Sequence, residues 1–303
     1  MRALVATALS AVLAFSAVGC SNTPDDTGAP AGVSVVASTD VWGSVAQAVV
    51  GDDATVTSII TGTVADPHSF EASPADAAAI SDASLVVYNG GHYDQWIDQV
   101  LQNAPDVTRV DAYSLSPTAE TGATANEHVF YDLPTVKAVA TRIAELLTEA
   151  DSINAADYAA NAETFGSEVD TLAMAQRAVG QAHPGASVVS TEPVAYYALR
   201  NAGIADLTPP SFTNAVEHGG DPAPADVAAM LDLINGRQVS AVVVNAQTES
   251  AVSRQIADAA TAAGLPLIEV TETLPEGKDF LQWQGETIDR IAAALDAAGG
   301  PGE

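Results

Sequence analysis

Residues 34–60, SVVASTDVWGSVAQAVVGDDATVTSII, contain a strand pattern, a helix pattern and a second strand pattern in direct succession. The first segment, 34–38, is short and valine-rich, and the next, 41–50, repeats its apolar residues at helical spacing. Gly51 is placed to end that helix, and 54–60 is again rich in β-branched residues. This order predicts a parallel sheet with helices packed on its faces.

The same alternation continues on both sides of one long helical pattern. In the first half it reaches a short strand near residue 110, and in the second half it runs from 187 to a closing helix at 280–298. Between the halves, 155–181 is an uninterrupted helical pattern. The predicted fold class is α/β. We expect two lobes, each a mostly parallel four-stranded sheet flanked by helices, joined by one long helix, with the binding site in the inter-lobe cleft.

The N-terminus has the form of an export signal. Met1-Arg2 supplies a positive start, and 3–18 is an apolar run of small residues that leads to Cys20, the sole cysteine. A cysteine directly after Val18-Gly19 matches the bacterial lipobox, so we expect cleavage before Cys20 and a lipid on its sulfur. An incidental cysteine in an ordinary signal peptide is the alternative. Since there is no second cysteine, disulfides and thiolate metal sites are excluded.

We predict five segments along the chain. They are a lipoprotein signal peptide (1–19), the lipidated Cys20 with a flexible tether (20–33), an N-terminal α/β lobe (34–152), the long linking helix (153–182) and a C-terminal α/β lobe (183–303). The tether is rich in Pro and Gly and lacks periodicity. The mature protein is therefore expected outside the cytoplasm, anchored to the cell membrane through the lipid on Cys20.

The charge balance narrows the possible partners. The chain has 10 Lys and Arg residues against 39 Asp and Glu residues, a formal net charge of −29. Nucleic acid is excluded as a partner by this balance, and so is attraction to anionic lipid through basic patches. An acidic surface attracts cations, although it is also a general means of keeping a protein soluble. We expect a monomer.

The loop after the second predicted strand carries the first candidate ligand. It reads Ala65-Asp66-Pro67-His68-Ser69-Phe70-Glu71 and leads to a predicted helix near 74–81. Pro67 fixes its own φ and biases Asp66 toward an extended conformation, so the backbone that carries His68 is stiff. Loops that leave strands are where α/β folds place ligand groups. His68 is thus a candidate metal ligand, with an ordinary surface histidine as the alternative.

Three further candidates precede predicted helices, and each has a simpler explanation. His128 is either a ligand or a surface residue, and Asp132, one helical turn beyond, could accept its other ring N–H or cap the helix. Glu192 could be an acidic residue favoured by a helix dipole, and Asp279 could be a helix N-cap. Together with His68, however, they give two positions in each half on loops that lead into helices. In a two-lobed α/β protein such loops meet at the cleft.

Two imidazoles and two carboxylates form a nitrogen and oxygen site for one divalent ion. This donor set favours Mn²⁺, Zn²⁺ or Fe²⁺ over Ca²⁺ and Mg²⁺, and over Cu⁺, which prefers sulfur. Protonation of the histidines below about pH 6 is expected to compete with the metal. Two more histidines, His92 and His218, either line the cleft or lie on the surface. The sequence contains no GxxxxGK[ST], GxGxxG, GxSxG or HExxH pattern, so nucleotide binding, acyl hydrolysis and zincin proteolysis have no support.

Over about residues 35–295 the chain resembles the solute-binding lipoproteins of bacterial manganese/zinc ABC importers, the cluster A-I or cluster 9 family. The lipobox agrees with this resemblance. The motifs that carry it are D-P-H-x-F-E at 66–71, S-P-x-D at 73–76, Y-N-G at 88–90, E-H-x-x-x-D at 127–132, T-E-P-V at 191–194 and G-x-D-F-L at 277–281.

The resemblance implies a metal held between the lobes by His68, His128, Glu192 and Asp279. It also implies an ABC permease as partner and a receptor without catalytic activity. Two alternatives stay open: a metal-dependent hydrolase, and an adhesin-type interaction lipoprotein that uses the same cleft. A catalytic site would need an open coordination position for water, which four protein ligands do not leave.

The chain departs from the family pattern at three places. The loop at 111–126 lacks the His-rich run of zinc-specific members, and those members tend to have His where this chain has Glu192. Both departures favour manganese, while zinc and iron stay possible. Asn245 stands where many members have Glu, and it is expected to change either the surroundings of the ligands or the polarity of the cleft.

Overall fold

The structure is a computed structural model that describes residues 32–63, 66–117 and 126–299. The predicted signal peptide and Cys20 lie outside the described residues. Among the helices that are described, none combines the length and the apolar character needed to cross a bilayer.

Four parallel strands form the sheet of the N-terminal lobe. They are β1 (Ser34–Thr39), β2 (Thr55–Ile60), β3 (Leu85–Tyr88) and β4 (Arg109–Asp111), in the spatial order β2-β1-β3-β4. The register pairs Val35 of β1 with Val56 on one side and with Leu85 on the other. The strand order changes direction next to β1, so the carboxyl ends of β1 and β3 border a crevice where α/β sheets bind ligands.

The sheet of the C-terminal lobe repeats this topology. Its strands are β5 (Ser187–Ser190), β6 (Ala205–Asp206), β7 (Ala241–Asn245) and β8 (Leu267–Val270), in the order β6-β5-β7-β8, all parallel. In the register, Val189 of β5 lies beside Val242 of β7, and Asn245 at the end of β7 lies beside Val270 of β8. Strand β7 is therefore central, with β5 and β8 as its two neighbours.

In the part of the chain that the structure describes, ten α-helices connect and cover the strands. In the N-terminal half they are α1 (Asp40–Val50), α2 (Pro74–Ser81), α3 (Gln95–Leu101) and α4 (Leu133–Ala150). The long helix is α5 (Ala155–Ala182). The C-terminal half has α6 (Tyr196–Ala202), α7 (Pro210–Glu217), α8 (Pro224–Asn235), α9 (Ala251–Ala263) and α10 (Phe280–Gly299). The predicted fold class, two parallel four-stranded sheets with helices on their faces and one long joining helix, is confirmed.

Alternation along the strands divides the apolar residues among three clusters. In β1, Val35 and Ala37 belong to a large central cluster, whereas Val36 belongs to a smaller one on the opposite face of the sheet. In the second sheet, Val243 joins the central cluster and Val242 a third, outer one. Successive side chains of a strand point to opposite faces, so each sheet is buried on both sides. The central cluster is continuous across both halves of the protein.

Helix α5 packs against helices of both halves, α1 and α4 in one and α6 and α10 in the other. Its close approach to α6 depends on Gly180. A Cβ atom at this position would lie 1.6 Å from the carbonyl oxygen of Ala202 at the end of α6. The absence of a side chain at Gly180 is therefore a condition of the packing between α5 and α6.

The sequence patterns did not indicate every element. Strand β6 has two residues, too few for a recognisable period, and α7 is an eight-residue helix that begins at Pro210. Helix α3 begins at Gln95, because the carboxylate of Asp94, the residue before it, accepts hydrogen bonds from the backbone N–H groups of Asn89 and Gly90. That carboxylate holds the turn after β3 and leaves Asp94 outside the helix.

Candidate metal centre

Three side chains from both halves of the protein meet at one point. They are His68 after β2, His128 before α4 and Glu272 after β8, and one ligand atom of each lies within 4.8 Å of the others. The Oε2 atom of Glu272 is 3.5 Å from Nε2 of His68 and 3.8 Å from Nε2 of His128. His128 and Glu272 are each 2% exposed, whereas His68 is exposed, so the cluster is buried on the side of His128 and Glu272 and open on the side of His68.

These distances suit a divalent transition metal. Ligands at about 2.1 Å from a tetrahedral ion are about 3.4 Å from one another, close to the separations of Glu272 from the two imidazoles. The Oε2 atom of Glu272 is also buried without a hydrogen bond from any residue that the structure describes. A buried carboxylate oxygen without a donor is costly, and a cation among the three side chains would satisfy it.

The ring of His128 is held so that Nε2 faces the cluster. Its Nδ1 lies 3.3 Å from Oδ1 of Asn126, which also accepts the backbone N–H of His128 at 3.0 Å. The amide nitrogen of Asn126 donates to the carbonyl of Pro193 at 3.1 Å, and this bond fixes which end of the amide faces His128. With an oxygen beside Nδ1, the proton of the neutral ring lies there and the lone pair of Nε2 is available to an ion.

His68 has the same arrangement with a carboxylate partner. Its Nδ1 lies 3.5 Å from Oε1 of Glu127, while Nε2 points to Glu272. Asp66 shapes the loop, since its carboxylate accepts the backbone N–H of His68 at 2.9 Å and the hydroxyl of Ser69 at 3.0 Å. A carboxylate beside the remote nitrogen orients a ligating imidazole and increases its basicity.

A buried tyrosine forms the wall behind the two imidazoles. The ring of Tyr93 lies edge-on to His68 and to His128, with centroid separations of 4.8 and 5.8 Å, and its hydroxyl lies 3.4 Å from the carbonyl oxygen of Glu272. Phe130 closes the side next to His128 at 5.7 Å. These rings exclude water from one side of the cluster and strengthen its electrostatic interactions.

The two loops that carry His68 and Glu272 are joined through Asp40 at the start of α1. Its Oδ2 accepts the backbone N–H of Gly62 at 2.7 Å, and its Oδ1 accepts that of Leu274 at 3.0 Å. Burial raises the pKa of Asp40, and these two backbone donors oppose the rise. One side chain therefore connects the N-terminal ligand loop to the C-terminal one.

Protons bind the two histidines very differently. Burial lowers the pKa of His68, but the adjacent carboxylate of Glu272 and that of Glu127 outweigh it, and the pKa rises to about 9. His128 is fully buried, so its pKa falls to about 4 despite the attraction of Glu272. Burial also raises the pKa of Glu272, but the two imidazoles outweigh this effect and the pKa lies below its usual value. Without metal at neutral pH the cluster thus carries one proton in addition to those of two neutral imidazoles, and this proton is on His68.

Glu192 lies beside the cluster and is held by two hydrogen-bond donors. Its Oε2 accepts from the amide nitrogen of Asn245 at 2.6 Å, and its Oε1 accepts from the hydroxyl of Thr248. The same amide nitrogen lies 2.7 Å from Oε1 of Glu272. Burial raises the pKa of Glu192, and the negative charge of Glu272 contributes to the rise. The two carboxylates of the C-terminal lobe are therefore neighbours joined by one amide.

The structure corrects the prediction for Asp279. This residue is exposed and lies just before α10, where its carboxylate accepts the backbone N–H of Gln282 at 2.8 Å, the helix-capping role that was its alternative. The carboxylate that faces the imidazoles belongs to Glu272, seven positions earlier in the same connection between β8 and α10. Because Glu272 follows β8 by two residues, it lies at the carboxyl end of the sheet, whereas Asp279 has already left the cleft. That position relative to the strand is the sequence signal that identifies Glu272.

The remaining predicted residues have these places. Asp132 accepts hydrogen bonds from Thr135 at 2.5 Å and from Asn201 at 2.7 Å, so it connects α4 to α6. The oxygen beside Nδ1 of His128, a role that the sequence offered to Asp132, belongs to Asn126. His92 and His218 are both exposed. Burial raises the pKa of Glu127, and His68 beside it opposes the rise. Asn245 is buried at the two C-terminal carboxylates.

Fold and cluster together define a two-lobed α/β protein in which buried His128 and Glu272, with the more exposed His68, form a histidine and carboxylate cluster contributed by both halves. The chain belongs to the family described as zinc-uptake complex component A, periplasmic (ZnuA), whose model matches residues 35–294. This match confirms the resemblance drawn from the sequence motifs.

Individual relatives agree with this family. The manganese-binding lipoprotein MntA of Halalkalibacterium halodurans is 30% identical over 169 residues, which are 53% of this chain and 54% of the relative, so the match spans about half of that protein. MntA of Bacillus subtilis strain 168 is 26% identical over 255 residues, 80% of this chain and 78% of the relative. Among solved structures, the periplasmic zinc-binding protein TroA of Treponema pallidum is similar with a TM-score of 0.75 at 18% identity, covering 87% of this chain and 99% of TroA. The similarity to TroA establishes the fold.

Proposed function

We propose that this protein is an extracytoplasmic receptor that captures one divalent transition-metal ion, Mn²⁺ or Zn²⁺ with Fe²⁺ as a further candidate, and delivers it to the permease of an ABC importer. The observation that carries the proposal is the cluster of His68, His128 and Glu272, whose ligand atoms converge within 4.8 Å. The family match and the metals in the names of its relatives support the same function. Lipid on Cys20 would anchor the receptor, which we expect to act as a monomer without a nucleic-acid partner.

The ligands are His68, His128 and Glu272, with Glu192 as the fourth. Glu192 joins them when it exchanges the hydroxyl of Thr248 for the ion. Two carboxylates and two neutral imidazoles neutralise a divalent cation and leave no position for an activated water, which supports a receptor over a hydrolase. The two carboxylates of this donor set suit Mn²⁺. Zn²⁺ in general binds nitrogen and oxygen sites more tightly than Mn²⁺, so the transported ion also depends on which metal is available.

Metal content and metal affinity test the proposal. The mature protein, purified without chelators, should contain close to one equivalent of metal and should bind added Mn²⁺ and Zn²⁺ in chelator competition. Glu272→Ala and His128→Ala should each weaken binding by at least about 100-fold, because each removes a charge or a directional lone pair from the ion. Asp279→Ala is the matched control: it lies in the same connection and should lose only helix capping, about 1 kcal/mol of stability, with unchanged affinity. Equal affinity of Glu272→Ala and the wild type would refute the assignment.

A further inference from the structure

We infer that Asn245 is a specificity-determining positioning residue, which holds both C-terminal carboxylates in one-oxygen coordination and so favours four-coordinate ions over ions that prefer six ligands. The inference rests on the proposed metal-binding function and deepens it. Its structural basis is the position of Asn245 at the end of β7, the strand that lies between β5 and β8. From this central position one side chain reaches the residue after β5 and the residue after β8.

The orientation of the Asn245 amide is fixed by the backbone. Its Oδ1 accepts the N–H of Gln247 at 3.0 Å, so Nδ2 must face the opposite way, toward the carboxylates. There it lies 2.6 Å from Oε2 of Glu192 and 2.7 Å from Oε1 of Glu272, with Oγ1 of Thr248 at 2.9 Å. An amide nitrogen has two hydrogens, and the two shorter contacts are those to the carboxylates. The amide is therefore a neutral bridge between two negative groups.

Gln247 adds a second connection between this segment and the loop of Glu272. Its Oε1 accepts the backbone N–H groups of Glu272 and Thr273, and its Nε2 donates to the hydroxyl of Thr273 at 2.8 Å. The backbone of Glu272 is thus fixed independently of its side chain. Removal of the Asn245 amide therefore releases the carboxylate of Glu272, while the side chain of Gln247 still holds the backbone of Glu272 even though Gln247 loses its own hydrogen bond to Asn245.

The bridge decides which carboxylate oxygens serve an ion. Oε1 of Glu272 is engaged by Asn245, and Oε2 is the atom directed at the two imidazoles. A chelating carboxylate would need Oε1 as well, in competition with a charge-assisted hydrogen bond. Glu192 is held at both oxygens, by Asn245 and by Thr248, and faces the same competition. One oxygen from each carboxylate and two imidazole nitrogens give four coordination, the arrangement that Zn²⁺ adopts readily, whereas Mn²⁺ in oxygen-rich sites takes more ligands.

The test compares Asn245→Ala and Asn245→Leu with the wild type. Leucine keeps a similar volume without a donor, so at least one variant is expected to fold, and thermal unfolding of both checks this. Dissociation constants for Zn²⁺ and Mn²⁺ come from chelator competition, and the absorption spectrum of bound Co²⁺ reports its coordination number. Thr248→Val is the comparison variant: it removes the hydroxyl that contacts both Glu192 and the Asn245 amide but leaves the hydrogen bond from Asn245 to Glu272 in place.

In the Asn245 variants the preference for Zn²⁺ over Mn²⁺ should fall at least tenfold, and the intense visible bands of four-coordinate Co²⁺ should weaken. Thr248→Val should change the preference less than either Asn245 variant. An unchanged metal preference with an unchanged Co²⁺ spectrum would overturn the inference, even if both affinities fell together, because an equal fall is the result expected of a purely structural role. A wild type that binds none of these ions would overturn the proposed function and the inference with it.

Discussion

Metal capture by this protein should release one proton from His68 at neutral pH. An imidazole must be neutral to ligate a metal, and the pKa of His68 is raised to about 9, so at pH 7 roughly 1 molecule in 100 has the ring ready. His128, with a pKa lowered to about 4, is already neutral. The carboxylate of Glu272 is ionised, since its pKa lies below the usual value.

The sign and size of the effect follow from this assignment. A raised pKa means that the proton stabilises the metal-free protein, so the apparent affinity for metal should rise with pH and level off near pH 9. Between pH 6 and 8 each pH unit should increase the affinity about tenfold, equivalent to about 1.4 kcal/mol. The sequence alone placed the competition below about pH 6, the ordinary range of histidine. Contact with Glu272 and Glu127 moves it upward, since the pKa of His68 is about 9.

Isothermal titration calorimetry measures the released proton directly. The binding enthalpy at pH 7 is recorded in buffers with different ionisation enthalpies, and the slope gives the number of protons. Glu217 is the carboxyl near the site whose proton must be separated from that of His68, because burial and the charges of Glu127, Glu272 and Glu192 raise its pKa to about 8. Glu217→Gln removes it from the count and should release about one proton. Release of no proton from this variant would show that His68 is neutral before the metal arrives and would refute the electrostatic reasoning.

Three other properties can be measured. When the pH falls from 7 to 5, the metal-free wild type should lose about 2 kcal/mol more of its free energy of unfolding than His128→Asn, as measured by urea unfolding. The reason is that the histidine of the unfolded chain takes a proton near pH 6.5, whereas buried His128 in the folded protein takes one only near pH 4. Equal losses would contradict this. Gly180→Ala should destabilise the protein by at least about 2 kcal/mol, since its Cβ would overlap the carbonyl oxygen of Ala202. The control is Gly285→Ala in α10, whose Cβ would have its nearest contact at 3.7 Å, and this substitution should be neutral or stabilising. Small-angle scattering should give the same radius of gyration with and without metal, and a large decrease on binding would show a hinge closure that the shared core opposes.

The general plan of the site could be predicted because it depends on local patterns. Short apolar runs separated by helical periods gave the two sheets, and His68 and His128 were found as imidazoles on loops that lead into helices. These signals can be recognised in the sequence alone, because strand and helix periods are local properties. The joining helix was equally visible, because nothing in residues 155–182 interrupts its pattern.

The C-terminal carboxylates show where such patterns fail. Glu272 and Asp279 lie in one connection, and helix-start chemistry singles out Asp279, which does cap α10. Glu272 is the carboxylate that lies beside the imidazoles, because β8 ends at Val270 and the residues that follow it lie at the carboxyl edge of the sheet. The role of Asn245 could not be predicted from the sequence, since it depends on β7 lying between β5 and β8 and on the backbone contact that fixes the amide.

A proton on His68 would help the two lobes keep their arrangement when no metal is bound. In the metal-free protein the charged imidazole lies between Glu272 of one lobe and Glu127 of the other, so a proton occupies the electrostatic position that a metal ion takes when bound. The apolar cluster that continues through both lobes resists a hinge as well, because opening it would expose buried side chains at about 25 cal/mol for each Å². On the proposed ligand set, capture would then require only local changes: His68 would give up its proton, and Glu192 would exchange a hydroxyl for the ion. Proton and metal would thereby compete for one place in a scaffold that is already assembled, and the pH of the medium would set how tightly the ion is held.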